Sequence, residues 1–216
     1  IVALLNVNYH TSFLSLNSHV HYFMQSFYNI NLRDLAIIIT AFGYYKLLVV
    51  SSGLILITLL LYKQKREFIS FATTIVLGVI AIALFKHIIH SGRPLGIMHV
   101  KSESSFPSGH TTMATLFYGS LAFFSAHWFP KQRKIIFTTA VLCILLIALS
   151  RLYLSAHWIT DIIGSLLLGT AVIYFSQFIY VRQCTNISPA PSGKLWITCL
   201  SFFILAPITV YTTATI

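Results

Sequence analysis

Six apolar runs constrain the fold of this chain more than any other feature of its sequence. They lie at roughly 46–62, 68–89, 110–127, 135–151, 158–181 and 195–213. Each run is close to the about 20 residues that an α-helix needs to cross a bilayer, and a helix satisfies its own backbone polar groups. Only 8% of the residues are charged, whereas a soluble domain carries about 25%. The sequence therefore predicts an all-α fold, a polytopic membrane helix bundle of about six transmembrane helices.

The residues before the first run have a different character. The stretch FLSLNSHVHYFMQSFYNI mixes aromatic and polar side chains, which is typical of a helix that lies in the membrane interface. AFGYYK then marks a glycine break before the first complete span. We expect one membrane domain over 1–181, cut from a longer protein, because the chain starts without Met and Ile1–Leu5 resemble the tail of an earlier span. Residues 182–216 would add a loop and a further C-terminal transmembrane helix.

Basic loops predict which way the bundle faces. The loops after the first, third and fifth runs all fall on one side and concentrate basic side chains: Lys63, Lys65, Arg66, Lys131, Arg133, Lys134, Arg182 and Lys194. The positive-inside rule makes that side cytoplasmic. The net charge of +10 does not form one long patch, which argues against nucleic acid as a partner. Arg93, Lys101 and Arg151 fall on the outer side, which suggests that some of these cations bind an anion, whereas Lys101 is more typical of a solvated loop.

Three polar patches lie on this outer side. They are KHIIHSGRP from Lys86 to Pro94, PSGH from Pro107 to His110, and SRLYLSAHWITD from Ser150 to Asp161. The runs that start near Ser108 and His157 present their positive helix N-termini here, and such termini bind anions. Lys86 and Arg151 end the neighbouring runs. A phosphate group suits this set, because arginine offers two parallel donors and lysine a point charge.

The third patch also contains a candidate nucleophile. His157 and Asp161 are four residues apart, so they share one face of a helix. The carboxylate can accept the Nδ1 proton of His157 and leave Nε2 free to attack. His110 is a candidate for the acid that protonates the leaving oxygen. No Asp/Glu cluster is present for Mg²⁺ or Ca²⁺, so we predict no metal and no cofactor, with cations and helix ends stabilising the charge.

Together these motifs resemble a known family signature. Lys-x6-Arg-Pro, Pro-Ser-Gly-His and Ser-Arg-x5-His-x3-Asp resemble the motifs of the type 2 phosphatidic acid phosphatase superfamily, over roughly residues 10–181. The resemblance implies six membrane helices and metal-independent hydrolysis at the outer face through a phosphohistidine. It makes His157 the nucleophile, Asp161 its support and His110 the general acid. It assigns the binding of phosphate to Lys86, Arg93, Ser108, Gly109 (through its backbone N–H) and Arg151.

The chain departs from the family pattern at both ends. Its first span is short, and a further apolar run follows at 195–213. Some bacterial members are fused to another membrane domain, so we expect such a fusion outside this sequence. The resemblance makes 1–181 a membrane phosphatase domain.

The predicted function is that of an integral membrane phosphatase acting on a lipid phosphomonoester or diphosphate. Candidate substrates are of the undecaprenyl diphosphate, phosphatidic acid, phosphatidylglycerophosphate or lipid A type, met at the periplasmic face of a bacterial inner membrane. The alternatives are a lipid transporter or scramblase, a non-catalytic lipid-phosphate-binding relative, and a vanadate-dependent haloperoxidase. A transporter predicts inverted repeats, which the sequence does not show, and the haloperoxidases are soluble. The intact His110, His157 and Asp161 argue against a silent relative.

Overall fold

The computed structural model describes residues 12–94 and 104–183, and every regular element within them is helical. The helices are α1 (Ser12–Ser26), α2 (Ile30–Ala41), α3 (Tyr45–Leu61), α4 (Lys65–Ile88), α5 (Gly109–Trp128), α6 (Arg133–Tyr153) and α7 (Ile159–Gln183). A 3₁₀ turn over Pro130–Gln132 joins α5 to α6. The predicted all-α bundle is confirmed for this part of the chain.

Helices α3 to α7 correspond to the first five predicted runs. The sixth run, at 195–213, lies outside the described residues, and the boundary drawn at residue 181 stays a prediction. Within the described residues, four helical stretches are long and apolar enough to cross a membrane: Ile30–Leu61, Lys65–Ile88, Pro130–Tyr153 and Ile159–Tyr180. They make the chain an integral membrane protein.

Helix α5 is the central helix of the bundle. It packs against α3, α4, α6 and α7, and hydroxyl side chains such as Thr111, Thr112 and Ser120 are fully buried along it. Small and hydroxyl residues are typical of helix contacts inside membranes, where they let backbones approach closely. A Cβ atom added at Gly169 of α7 would lie 2.8 Å from the Thr115 side chain. Because its neighbours shield α5 from lipid, it does not need the apolar composition of the outer helices.

The apolar core surrounds the middle of α5. Phe71 of α4, Leu48 of α3 and Ile147 of α6 pack with Phe117 and Met113 of α5. Leucine, isoleucine, valine and phenylalanine side chains remain exposed on the outward faces of α3, α4, α6 and α7. An apolar exterior of this kind suits contact with lipid chains. The bundle is therefore held by close packing inside and presents a hydrocarbon surface outside.

The N-terminal region contains two helices where the sequence predicted one. A break at residues 27–29 separates α1 from α2. The Asn29 side chain accepts a hydrogen bond of 2.8 Å from the Asn31 N–H, so Asn29 is the N-cap of α2. Val20 and Met24 of α1 pack against apolar residues of α6 and α7. The predicted glycine break is present at residues 42–44, between α2 and α3.

Antiparallel packing places four helix ends together. The C-terminal ends of α4 and α6 and the N-terminal ends of α5 and α7 meet at one end of the bundle, where the three polar patches lie. The turns from α3 to α4 and from α5 to α6 lie at the opposite end. The fold thus brings together motifs that are up to about 70 residues apart in sequence.

Candidate active site

A cavity of about 500 Å³ lies where these four helix ends meet. Six of the eight predicted site residues line it: Lys86, Arg93, Gly109, His110, Arg151 and His157. Its remaining lining is mostly apolar: Tyr45, Val49, Val79, Ile82, Ala83 and Met113. Ser108 and Asp161 are not among the lining residues, and both lie buried behind them. The three motifs therefore surround one cavity that has a polar end and an apolar wall.

The predicted pair of His157 and Asp161 is close in space. His157 Nδ1 lies 3.6 Å from Asp161 Oδ2, and both residues are buried, at 4% and 2% exposure. His157 lies in the turn before α7 rather than on the helix, and Asp161 is in its first turn. The same carboxylate oxygen accepts a hydrogen bond of 3.0 Å from the Trp158 N–H. The four-residue spacing thus brings the pair together through a capped turn, a detail that the helical prediction missed.

The imidazole of His157 is neutral at physiological pH. Burial lowers the pKa of His157 from 6.5 to about 4, while the nearby carboxylate of Asp161 acts in the opposite direction. The positive charges of Arg151 and Arg93 lower this pKa further. A neutral imidazole keeps a lone pair on one ring nitrogen. The site therefore presents His157 in the form that a nucleophile requires.

Arg93 lies beside the other nitrogen of this ring. Its Nη1 is 3.4 Å from His157 Nε2 and donates to the Ala156 carbonyl at 2.7 Å. Its Nη2 donates to the Ser104 carbonyl at 3.3 Å. Burial lowers the pKa of Arg93, against the opposing effect of the Asp161 charge, but an arginine stays protonated in proteins. Any group bonded to Nε2 would therefore lie next to a guanidinium.

The loop between α4 and α5 binds Lys86 through its own backbone. Lys86 Nζ donates to the Ser104 carbonyl at 3.0 Å, so this carbonyl accepts from both Lys86 and Arg93. Ser105 N–H donates to the Ser91 carbonyl at 2.8 Å, and the hydroxyls of Ser105 and Ser91 are 2.9 Å apart. Sequence analysis did not identify these serines, although a serine-rich stretch directly before PSGH was visible. They connect the two ends of the loop beside the site.

Ser108 caps the helix that begins within the second motif, and its role as a phosphate ligand stays a prediction. It is fully buried and is the N-cap of α5, where its Oγ accepts from the Thr111 N–H at 3.4 Å. Its own N–H donates to Ser165 Oγ at 2.7 Å, and Ser165 donates to the Asp161 carbonyl at 2.6 Å. Gly109 begins α5 and lines the cavity. The amides of a first helical turn have no partner within the helix, so the Gly109 N–H stays a candidate anion donor.

Arg151 completes the polar end of the cavity. It is 4% exposed, and its Nη1 donates to Thr40 Oγ1 at 3.0 Å. Lys86, Arg93 and Arg151 thus line the cavity, and Asp161 supplies the carboxylate behind it. Within residues 12–94 and 104–183, no three His, Cys, Asp or Glu side chains form a metal-binding group. An excess of positive charge on side chains beside the N-termini of α5 and α7 is the chemistry of an anion site.

Comparison with known proteins agrees with this geometry. The sequence profile of the PAP2 superfamily matches residues 67–184, more than half of the chain. Phosphatidylglycerophosphatase B of Bacillus subtilis (strain 168) is 34% identical over 77 residues, which cover 34% of this chain and only 38% of that protein. A crystal structure of a transmembrane PAP2-type phosphatidylglycerolphosphate phosphatase from Bacillus subtilis has a similar fold. It gives a TM-score of 0.76 at 21% identity and covers 82% of this chain and 90% of that chain. The resemblance seen in the three motifs is thereby confirmed, and the chain belongs to the PAP2 superfamily.

Proposed function

We propose that this protein is an integral membrane phosphatase that hydrolyses a lipid phosphomonoester or diphosphate through a phosphohistidine at His157. One observation carries the proposal. A neutral, buried His157 has Nδ1 near the carboxylate of Asp161 and Nε2 beside Arg93, within a cavity that Lys86 and Arg151 also line. This arrangement combines a nucleophile, a group that orients it and the cations that a phosphate needs.

The first chemical step transfers the phosphoryl group to the enzyme. The Nε2 lone pair of His157 forms a bond to phosphorus as the bond from phosphorus to the leaving oxygen breaks. The electron pair of that bond leaves with the oxygen, which takes a proton from His110 on the neighbouring wall of the cavity. The carboxylate of Asp161, 3.6 Å from Nδ1, orients the ring and stabilises the positive charge that develops on it.

The second step releases phosphate and restores the enzyme. Water attacks phosphorus, and His110, now neutral, accepts the proton of the water. The bond between phosphorus and Nε2 breaks, and its electron pair returns to the imidazole of His157. The products are inorganic phosphate and a lipid alcohol, or a lipid monophosphate when the substrate is a diphosphate.

The cations stabilise the charge on the phosphoryl oxygens throughout. Arg93 lies beside the attacked position, and Lys86 and Arg151 line the same cavity. Fixed charges in a buried site need no reorganisation during the reaction, and removal of one such donor typically costs about 10²–10³ in kcat. The Gly109 amide at the start of α5 adds the positive end of a helix dipole.

The apolar wall of the cavity supports a lipid substrate. Val49 of α3 and Val79, Ile82 and Ala83 of α4 line it. Val49 and Val79 are also 41% and 42% exposed on the outside of the bundle, so the wall is continuous with the lipid-facing surface. A hydrocarbon chain can lie along α3 and α4 while its headgroup reaches the cations. The name of the Bacillus subtilis relative makes phosphatidylglycerophosphate the first substrate to test.

The position of the basic turns supports an outward-facing site. Lys63 and Lys65 lie where α3 turns into α4, and Lys131 and Arg133 lie between α5 and α6, at the end of the bundle opposite the cavity. The positive-inside rule makes that end cytoplasmic. The active site would then face the periplasm of a bacterial inner membrane, where a headgroup can enter without crossing hydrocarbon.

The decisive experiment measures phosphate release by the purified protein from a panel of lipid phosphates. We expect release from at least one of phosphatidylglycerophosphate, phosphatidic acid, undecaprenyl diphosphate and lipid A diphosphate. We also expect inhibition by orthovanadate and no effect of EDTA, because the proposed chemistry uses side-chain cations. Loss of activity with EDTA and its return with Mg²⁺ would overturn the metal-free mechanism. Lipid flipping in vesicles without any phosphate release would instead establish the transporter or scramblase.

A further inference from the structure

The N-terminal helices contact the segment that carries three of the site residues, although these helices lie outside the family region at 67–184. This segment, residues 151–161, begins with Arg151 at the end of α6 and includes His157. The contacts come from side chains of α1 and of α2, each more than 100 residues away in sequence. The catalytic segment is therefore supported by a part of the chain that the family profile does not include.

Helix α1 holds the middle of this segment. Gln25 Nε2 donates to the Ser155 hydroxyl at 2.7 Å and to the Tyr153 carbonyl at 3.2 Å. Ser155 has a φ of 53°, a left-handed conformation that non-glycine residues rarely adopt. Asn17 Oδ1 accepts a hydrogen bond of 3.2 Å from the Thr160 N–H in the first turn of α7. These contacts fix the turn that presents His157 to the cavity.

Helix α2 reaches the phosphate-binding end directly. Thr40 is 6% exposed, and its Oγ1 accepts the hydrogen bond from Arg151 Nη1. Arg151 Nε is buried and has no hydrogen-bond partner. Arg93 lines the same cavity, and its like charge repels the Arg151 guanidinium from this end. The Thr40 hydroxyl supplies an oriented acceptor that opposes this displacement.

The corner between α2 and α3 fixes Thr40 in place. The Phe42 carbonyl accepts a hydrogen bond of 2.9 Å from the Tyr118 hydroxyl of α5. A Cβ atom added at Gly43 would lie 2.5 Å from Ile147 of α6 and 3.5 Å from His110 Cβ, so the backbone of the corner packs closely against both helices. The Tyr44 ring lies 6.0 Å from the His110 ring, measured between centroids. The corner thus packs against α5 and α6 next to the site, which fixes the end of α2 that carries Thr40.

We propose that Thr40 is a positioning residue: its hydroxyl orients the Arg151 guanidinium for the phosphoryl group, so that helix α2 completes a site otherwise built from the family motifs. The inference rests on the proposed phosphatase function. A misplaced catalytic group can lower the rate by about 100-fold, so Thr40→Val, which keeps the shape and removes the acceptor, should lower kcat/KM by about 10- to 100-fold. It should weaken the binding of orthovanadate, which occupies the phosphate position, by a similar factor.

The test compares Thr40→Val with a rescue variant and a matched control. Thr40→Ser keeps the hydroxyl and should retain most of the activity. Thr58→Val removes a hydroxyl that donates to the Leu54 carbonyl within α3, and it should leave kcat/KM and orthovanadate binding unchanged. In an Arg151→Ala background, Thr40→Val should have no further effect, because Thr40 acts through Arg151. Thr40→Ala repeats the measurement if the valine variant does not fold.

The outcomes separate this inference from the proposed function. Wild-type kcat/KM and orthovanadate affinity in folded Thr40→Val would overturn the positioning role. It would also be overturned if Thr40→Ser lost as much kcat/KM as Thr40→Val. The same holds if Thr40→Val lowered kcat/KM as much in the Arg151→Ala background as in the wild type. Absence of phosphate release from every lipid by the wild type would overturn the phosphatase function. Orthovanadate binding, followed by calorimetry, would still decide the role of Thr40 at the anion site: an unchanged affinity in Thr40→Val contradicts it.

Discussion

Helices α4 and α7 bury polar groups at both of their ends, and the two ends differ in chemistry. At one end, Lys86 lines the cavity together with two arginines and two histidines, and Asp161 lies behind it, next to His157. At the other, Glu67 Oε1 accepts a hydrogen bond of 3.0 Å from the Tyr180 hydroxyl, and both residues are buried. We call the first end the cavity cluster and the second the Glu67 cluster.

The polar groups of the two clusters face different surroundings, and this distinguishes a ligand-binding cluster from a cluster that holds helices together. In the Glu67 cluster hydrogen bonds join α4 directly to α7, and Ser70 Oγ donates to Gln177 Oε1 at 3.4 Å one turn away. Glu67 Oε2 and Gln177 Nε2 are buried there without a hydrogen-bond partner, and neither of them lines the cavity. In the cavity cluster the cations outnumber the carboxylate, and their side chains face open space. Buried charge that is not balanced locally is costly and marks a site for a ligand of opposite charge. We infer that the cavity cluster acts in catalysis and that the Glu67 cluster fixes α4 against α7.

The largest expected effect tests the cavity cluster. His157→Ala should lower lipid phosphate hydrolysis by several orders of magnitude, because unaided phosphate ester hydrolysis is extremely slow, while the midpoint of thermal unfolding changes little. Phosphate release and a melting curve of the same preparation measure both. His127→Ala, at an exposed position at the far end of α5, is the matched control and should keep full activity. Near-wild-type activity in folded His157→Ala would contradict the catalytic role of the cavity cluster.

A smaller effect, on stability, tests the Glu67 cluster. Glu67→Ala removes a buried hydrogen-bond acceptor and should lower the free energy of unfolding by about 1–3 kcal/mol, with activity per folded molecule retained. Glu67→Gln keeps an acceptor and should cost less. Asp34→Ala breaks a surface ion pair with Arg33 and should leave the free energy of unfolding almost unchanged, because solvent screens such pairs. Loss of activity in Glu67→Ala without loss of stability would assign a functional role to this cluster as well.

The smallest expected effect is a lowered pKa of His157 in the folded protein. Burial lowers the pKa of His157 to about 4, below the ordinary 6.5. Between about pH 4 and 6.5, His157 therefore binds a proton in the unfolded chain but not in the folded one. His157 therefore lowers stability progressively as the pH falls from 6.5 towards 4. Nitrogen NMR of histidine-labelled protein, with His157→Ala to assign the signal, should show a neutral ring from pH 5 to 7.5. A titration midpoint at or above 6.5 would contradict the neutral nucleophile.

The sequence predicts the membrane helices and the cavity cluster for physical reasons. A span must be helical and apolar, so runs of sufficient length predicted α3 to α7 within a few residues. The motif residues lie at helix ends, and antiparallel packing of neighbouring spans brings such ends together. Six of the eight site residues therefore line one cavity. Their predicted chemical roles remain predictions.

The remaining contacts could not be predicted from local patterns. Thr40 lies in an apolar stretch and meets Arg151 across 111 residues, a pairing that no spacing in the sequence indicates. Ser108 satisfied a motif position, yet a serine before a helix is also the usual N-cap, and the structure gives it that role. The second N-terminal helix was missed because the capping signal of Asn29 lies in a mixed polar and aromatic stretch.

The most direct test of the central claim is to trap the phosphorylated enzyme. Purified protein is mixed with a lipid phosphate labelled in its phosphoryl group and quenched in base within milliseconds, because phosphohistidine survives base and is lost in acid. We predict labelled protein in which peptide mass spectrometry places the phosphate on His157, no label in His157→Ala, and normal labelling in Glu67→Gln. Turnover without any labelled protein, or a label on another residue, would contradict the account.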